Sequence, residues 1–175
     1  MKVQRLEQWF TERHLDKVLS RERIHESGGW LWYRYSGSFI PPGATWERMY
    51  HGTWWYGLRM ILQTGVIAES GDASKGHWFM PGAIGVYSSP HFELAAKNYA
   101  RPHVLFGNGE YHRVVVELRV DPTHMEFFKR AKEIQSCAPG DVVSINGIWV
   151  LQNSSVAATG DRIDHWDREH EAVPC

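Results

Sequence analysis

Residues 112–120 read His-Arg-Val-Val-Val-Glu-Leu-Arg-Val and give the clearest strand pattern in the sequence. One side of an extended chain would carry four aliphatic residues, Val114, Val116, Leu118 and Val120. The other side would carry Arg113, Val115, Glu117 and Arg119. A period of two is typical of a half-buried β-strand, so the framework of this protein is predicted to be a sheet.

Outward from this strand, the sequence predicts a series of short elements. Further strands are predicted at 30–39, 48–51, 85–88 and 145–151. Helices are predicted from Val3 to about Arg23, from Thr53 to Leu62, from Ser89-Pro90 through Tyr99, and from Met125 to Ile134. Gly65 is placed where a helix C-terminal glycine belongs, and residues 69–82 are predicted to form a loop. This order predicts an α+β fold with a bent, mostly antiparallel sheet and flanking helices.

The length of the chain indicates one domain. Its 175 residues are enough for one buried core, and no internal repeat or linker divides them. We divide this single domain into an N-terminal extension at 1–47, a core at 48–156 and a polar tail at 157–175.

Composition excludes several classes of protein. With 43% apolar and 22% charged residues the chain is too apolar for disorder, and no apolar run reaches the length of a membrane span. The net charge of -1 gives no general attraction to nucleic acid, so any polyanion would have to bind a local patch. Only Cys137 and Cys175 are present, and the first residues are charged, so we expect a cytoplasmic protein. The nine tryptophans suit either a core or a cleft for planar ligands.

Three short motifs follow one another along the predicted strands. Tyr50-His51-Gly52-Thr53 and Gly85-Val86-Tyr87-Ser88-Ser89 each end a strand before a helix, and Asn146-Gly147-Ile148-Trp149-Val150 lies on the last strand. This order resembles the ADP-ribosyltransferase superfamily, in the branch typified by diphtheria toxin and the poly(ADP-ribose) polymerases. The resemblance covers about His51 to Val150 and implies a split sheet with NAD bound in a cleft.

The residue types suit the chemistry that such a cleft performs. Cleaving a nicotinamide–ribose bond builds positive charge on the sugar, so a site must hold a planar ring and orient a ribose. His51 can donate a hydrogen bond to a ribose hydroxyl, and Gly52 lets backbone groups approach a carboxamide. By resemblance, His51 and Tyr87 are catalytic, and the residues that bind NAD are His51, Gly52, Thr53, Tyr87, Ser88, Tyr99 and Arg101. Tyr87 and Tyr99 would sandwich the nicotinamide ring.

Two departures from the pattern bear on activity. Ala96 stands where the polymerases have a hydroxyl that contacts the carboxamide, and Asn146-Gly147-Ile148 stands where they have a glutamate. Without that carboxylate, activation of an acceptor weakens and elongation of a polymer is not expected. Glu117 is the substitute that we weigh as a catalytic residue, against the alternative of a solvated strand face.

The late stretch Ser144-Ile145-Asn146-Gly147-Ile148-Trp149 is similar to one in RNA 2′-phosphotransferases, which use NAD to remove a splice-junction phosphate. In that reading Arg101 or Arg113 would contact the phosphate. No counterpart of the RNA-binding lobe of those enzymes is found before Glu47.

Three hypotheses of function therefore stand. The first is an NAD-dependent enzyme that transfers one ADP-ribose unit to an unknown protein or nucleic-acid acceptor. The second is the 2′-phosphotransferase reaction, and the third is a catalytically inactive module of the same fold that binds a nucleotide or a partner. The pairs His165 with His170 and His103 with His112 lack the spacing of metal sites, so no metal is expected.

Overall fold

The computed structural model describes residues 19–24, 29–53, 55–70, 84–100, 103–104, 111–130 and 133–153, together with residues 8, 11, 14, 17 and 18. Most of the predicted N-terminal helix, most of the predicted 69–82 loop, Arg101 and the polar tail from residue 157 lie outside the described residues.

Nine strands and two short helices make up the described part of the chain. The strands are β1 (Leu19–Ile24), β2 (Trp30–Tyr35), β3 (Glu47–Thr53), β4 (Val86–Ser88), β5 (His103–Val104), β6 (Tyr111–Val120), β7 (Glu126–Arg130), β8 (Glu133–Ala138) and β9 (Val143–Asn153). Helix α1 (Trp55–Thr64) follows β3, and α2 (Phe92–Leu94) continues directly into a π-helix, Ala95–Tyr99.

The strands form two antiparallel sheets. The large sheet has the order β1-β2-β9-β6-β3, with β5 also paired to β6, and the small sheet has the order β4-β8-β7. The predicted strand at 112–120 is confirmed and lies inside the large sheet, between β3 and β9. The structure is therefore α+β and mostly antiparallel, as predicted.

Each face of the large sheet has its own apolar cluster. The main core lies on the face that carries Val114, Val116 and Leu118, and α1 covers it with its apolar stripe of Leu58, Ile61 and Leu62. The opposite face carries Val115 together with aromatic and small residues, among them Trp30, Tyr50, Phe92, Ala95 and Trp149.

Helix α1 ends as its sequence predicts. The backbone N–H of Gly65 donates to the Ile61 carbonyl at 2.8 Å, and Gly65 has φ of 73°, a conformation that favours glycine. No helix in the described part of the chain has the length and apolar character needed to span a membrane.

Two predicted helices are wrong in whole or in part. The helix predicted through Arg23 cannot extend that far, because Leu19–Ile24 is a strand paired to β2. The helix predicted from Met125 to Ile134 is instead the β7–β8 hairpin, with Phe128 opposite Gln135. A pair of phenylalanines favours strands, and pairing with β4 fixes β8 as the middle strand of the small sheet.

Candidate functional site

The two sheets meet and then separate at the end of β3. Tyr50 and Ser89 exchange two backbone hydrogen bonds, N–H to O at 2.8 and 2.9 Å, and they form an isolated bridge between β3 and the residue after β4. Beyond this bridge the two strands are joined by a side chain, because His51 Nδ1 lies 2.7 Å from the carbonyl oxygen of Tyr87. The first two sequence motifs therefore face each other across one split.

The hydrogen bond to Tyr87 fixes the tautomer of His51. A carbonyl oxygen can only accept, so Nδ1 must carry the proton. In the neutral ring Nε2 is then an acceptor, and it can receive a hydrogen bond from a hydroxyl group. The predicted role of His51 as a hydrogen-bond donor to a ribose hydroxyl therefore changes, because Nε2 accepts in the neutral ring and donates only when the ring is protonated.

Gly52 presents its backbone to the same split. Backbone groups two residues apart on a strand point to the same edge, so the N–H and C=O of Gly52 point away from β6, as those of Tyr50 do. A β-carbon at Gly52 would lie 2.5 Å from Tyr99 Cβ and 2.6 Å from Ala100 N, and would also collide with Ala95 O. Glycine is thus required here for the π-helix to pack against β3.

The segment carrying Tyr99 differs in detail from the prediction. Ser89 was predicted to cap a helix with proline at its first position, but α2 begins at Phe92 with His91 as its N-cap residue. Ser89 Oγ instead accepts from the His91 N–H at 3.1 Å and donates to the Ile134 carbonyl at 2.8 Å. The segment then widens into a π-helix closed by Ala100 N–H to Ala95 O at 2.8 Å. Such helices are frequent at functional sites.

Sequence analysis missed one residue of this site, Gln135. Strand β8 is the neighbour of β4, and the side chain of Gln135 is buried at 4% exposure with its amide Nε2 donating to the Tyr99 hydroxyl. The strand beside Tyr87 therefore carries a buried amide that contacts Tyr99. Gln135 lies just beyond the predicted helix, and residues 135–138 are all buried, so β8 carries only a weak alternation in its sequence.

Tyr87 faces β8 as well. It lies directly opposite Cys137, and its hydroxyl hydrogen-bonds the buried Cys137 thiol. Burial raises the pKa of this thiol, and the hydrogen bond from Tyr87 offsets part of that rise.

Two other predicted ligands of NAD are buried residues. Ser88 is buried on the opposite side of β4 from Tyr87, with its hydroxyl 2.9 Å from that of Ser136. Thr53 is buried at the end of β3, opposite Val114. Tyr99, by contrast, remains 36% exposed on the π-helix.

Glu117 lies on β6 opposite Tyr50 and is only 2% exposed. Its Oε1 accepts from Asn146 Nδ2 at 2.6 Å, and its Oε2 accepts from Trp149 Nε1 at 2.9 Å. Arg48 Nε lies 3.5 Å from Oε1. The structure thus places this candidate in a buried polar cluster, and not on a solvated strand face.

The late motif 144–149 contributes to the same cluster. It lies on β9, where Asn146 is the extra residue of a β-bulge opposite Glu117 and Leu118. Ser144 Oγ lies 3.2 Å from Ser38 Oγ. β6 separates β9 from β3, so this motif is not the neighbour of His51. Arg113 lies on β6, and Arg101 lies outside the described residues.

The described ranges contain no group of three or more His, Cys, Asp or Glu side chains that could hold a metal ion. The sequence matches no family model and no curated protein. The resemblance therefore depends on the motifs themselves and on where the fold brings them.

Proposed function

We propose that this protein binds NAD at the split between β3 and β4 and transfers a single ADP-ribose unit to an acceptor. The observation that carries the proposal is the 2.7 Å hydrogen bond from His51 Nδ1 to the Tyr87 carbonyl, which joins the first two motifs at one site. An ADP-ribosyltransferase-like arrangement of the fold is part of the same proposal.

The residues present fit the nicotinamide half of NAD. The backbone N–H and C=O of Gly52 offer one donor and one acceptor, the pair that a carboxamide needs, at a place where any β-carbon would collide. Tyr99 is partly exposed beside Gly52 and supplies an aromatic face for the ring. His51 Nε2 would accept from a ribose hydroxyl.

In the proposed reaction the bond between the ribose carbon and the nicotinamide nitrogen breaks, and nicotinamide leaves with the bonding electrons. The acceptor nucleophile forms the new bond to the ribose carbon and releases its proton to solvent. Gln135 beside Tyr99 has no negative charge to stabilise the cationic sugar or to take that proton, so we expect slow, single transfer.

The first test follows NAD binding by calorimetry and nicotinamide release by chromatography for the wild type and His51→Ala. We expect release in the wild type and its loss in His51→Ala, because the ribose hydroxyl loses its acceptor. His124→Ala, which changes an exposed histidine in the Asp121–His124 turn, is the matched control and should behave as the wild type.

Other outcomes separate the alternatives. Binding without release would favour the inactive module, and formation of a cyclic phosphate from a 2′-phosphorylated oligonucleotide and NAD would favour the phosphotransferase. A wild-type protein that neither binds nor cleaves NAD would refute all the NAD-dependent readings.

Gln135→Glu provides a second prediction. A carboxylate at this position can accept a hydrogen bond from the Tyr99 hydroxyl, so the contact survives with its direction reversed. The new negative charge should raise the rate of nicotinamide release about tenfold or more, where a fully positioned general base contributes about 100- to 10,000-fold. Gln135→Ala should lower NAD affinity instead. Equal release rates in Gln135→Glu and the wild type would contradict a place for residue 135 in the reaction.

A further inference from the structure

Phe92 holds the segment that carries Tyr99 onto the large sheet. Its ring makes edge-on contacts with Trp30, Tyr50 and Trp149, with ring centres 5.1, 5.4 and 5.6 Å apart. Phe92 is the first residue of α2, which runs without interruption into the π-helix that ends at Tyr99. The rings around Phe92 therefore set where Tyr99 stands relative to Gly52.

Two of these three rings are oriented by one buried carboxylate. Trp149 Nε1 donates directly to Glu117 Oε2 at 2.9 Å. Arg48 lies close enough to the Tyr50 hydroxyl to oppose the rise that burial causes in its pKa, and Arg48 Nε lies 3.5 Å from Glu117 Oε1. Asn146 Nδ2 completes the set at 2.6 Å from the same oxygen.

The hydrogen bonds to Glu117 also show that this carboxylate is not available as a general base. Both of its oxygens already accept hydrogen bonds, and the side chain is 2% exposed, so it offers no base to an acceptor. A buried charge is retained at a cost unless its partners compensate for the lost water, and one of these partners, Trp149, also contacts Phe92.

We propose that Glu117 is a positioning residue, which fixes Trp149 and, through Arg48, Tyr50, and so holds Phe92 and the Tyr99 segment in register with Gly52. This deepens the role given to Tyr99 and, for its effect on NAD, rests on the proposed function. It also replaces the catalytic role that the sequence suggested for Glu117.

The test begins without a ligand. Full-length protein is labelled with 3-fluorotyrosine, and the Tyr99 resonance in the ¹⁹F spectrum is assigned by its loss in Tyr99→Phe. Glu117→Gln turns an amide toward the donors that surround it, and Trp149→Phe keeps a ring but removes the donated N–H. We expect both variants to shift or broaden the Tyr99 resonance. His124→Ala changes an exposed side chain in the Asp121–His124 turn, so this control should leave Tyr99 unchanged.

NAD affinity supplies the second measurement. Glu117→Gln should weaken NAD binding several-fold, and this loss should vanish in the Tyr99→Ala background, whereas its effect on thermal stability should persist there. An unmoved Tyr99 resonance in Glu117→Gln would overturn the inference, as would an equal loss of affinity with and without Tyr99. A wild type that binds no NAD but shows the expected resonance shifts would refute the proposed function and leave the positioning role in place.

Discussion

Cys137 lies in the candidate site, but its surroundings exclude it as a nucleophile. Its thiol is 5% exposed and lies against Tyr87, and burial raises its pKa above the ordinary value. Since the thiolate is the nucleophile, a raised pKa leaves little of the reactive form at neutral pH. The residue is therefore a small apolar filler between β4 and β8.

This assignment predicts slow alkylation of Cys137. At pH 7 the rate with iodoacetamide should be about tenfold or more below that of a free thiol, and it should rise only as the pH passes above the ordinary thiol pKa. The rate is measured by mass spectrometry of the peptide that contains residue 137, between pH 7 and 10. Fast labelling at pH 7 would contradict the prediction, and Cys137→Ser gives the background.

At the scale of elements, the π-helix and β3 depend on each other through Gly52. Ala95 O, Tyr99 Cβ and Ala100 N occupy the space where a β-carbon would stand, so the two backbones touch. Backbone atoms cannot move aside as the end of a long side chain can. The tight approach is what brings Tyr99 over the edge of β3.

Gly52→Ala should therefore separate the π-helix from β3. We expect a loss of about 1–3 kcal/mol in the free energy of unfolding, the usual cost of overpacking, together with loss of NAD binding. Urea denaturation and calorimetry measure the two effects. Gly140→Ala is the matched control, because the nearest atom to its new β-carbon would be Glu69 Cγ at 3.3 Å, on a side chain that can move. Unchanged stability in Gly52→Ala would show that the segment can shift freely.

The elements that the sequence predicts correctly are those with a local signal. β6 follows from strict alternation, α1 from its apolar stripe and the glycine after it, and β3 and β4 from short runs before helices. β8 carries a weaker alternation, and it is a strand because β4 and β7 lie on its two sides, a relation between distant segments. Gln135 was missed for the same reason.

The candidate site likewise has one part that the local sequence predicts and another that depends on contacts between distant segments. The motifs around His51 and Tyr87 are visible in the sequence, and the fold brings them to a single split. The environment of Glu117 is not visible, because Asn146 and Trp149 reach it from another strand and a β-bulge sets their register.

At the scale of the whole molecule, three of the described tryptophans show whether they belong to a core or line a cleft, a question that composition leaves open. Trp30 and Trp32 are each 8% exposed, and with Trp149 they form an aromatic layer on the large sheet beside Phe92. These three residues therefore belong to a core. This layer packs against Phe92, which begins the segment that carries Tyr99, so these three tryptophans contribute to the candidate site indirectly.

The two sheets share one hydrophobic core. Val86 and Ala138 of the small sheet, 2% and 1% exposed, belong to the same cluster as Met49, Leu118 and the apolar face of α1. Among the described residues the backbone bridge between β3 and β4 is a single pair, Tyr50 with Ser89, so this shared packing and the His51–Tyr87 hydrogen bond hold the sheets together. Small domains with one continuous core usually unfold in one cooperative step.

Val86→Ala tests whether the sheets unfold together. Removing two buried methyl groups should cost about 2 kcal/mol, and the loss should appear equally in both sheets because they share the cavity that the change creates. Native-state hydrogen exchange of amides in β6 and β8 measures this, with Ile84→Ala, a change at a 65% exposed position, as the control that leaves both unaltered. If β8 lost protection while β6 kept that of the wild type, the small sheet would open independently, and the split that holds His51 and Tyr87 would open with it.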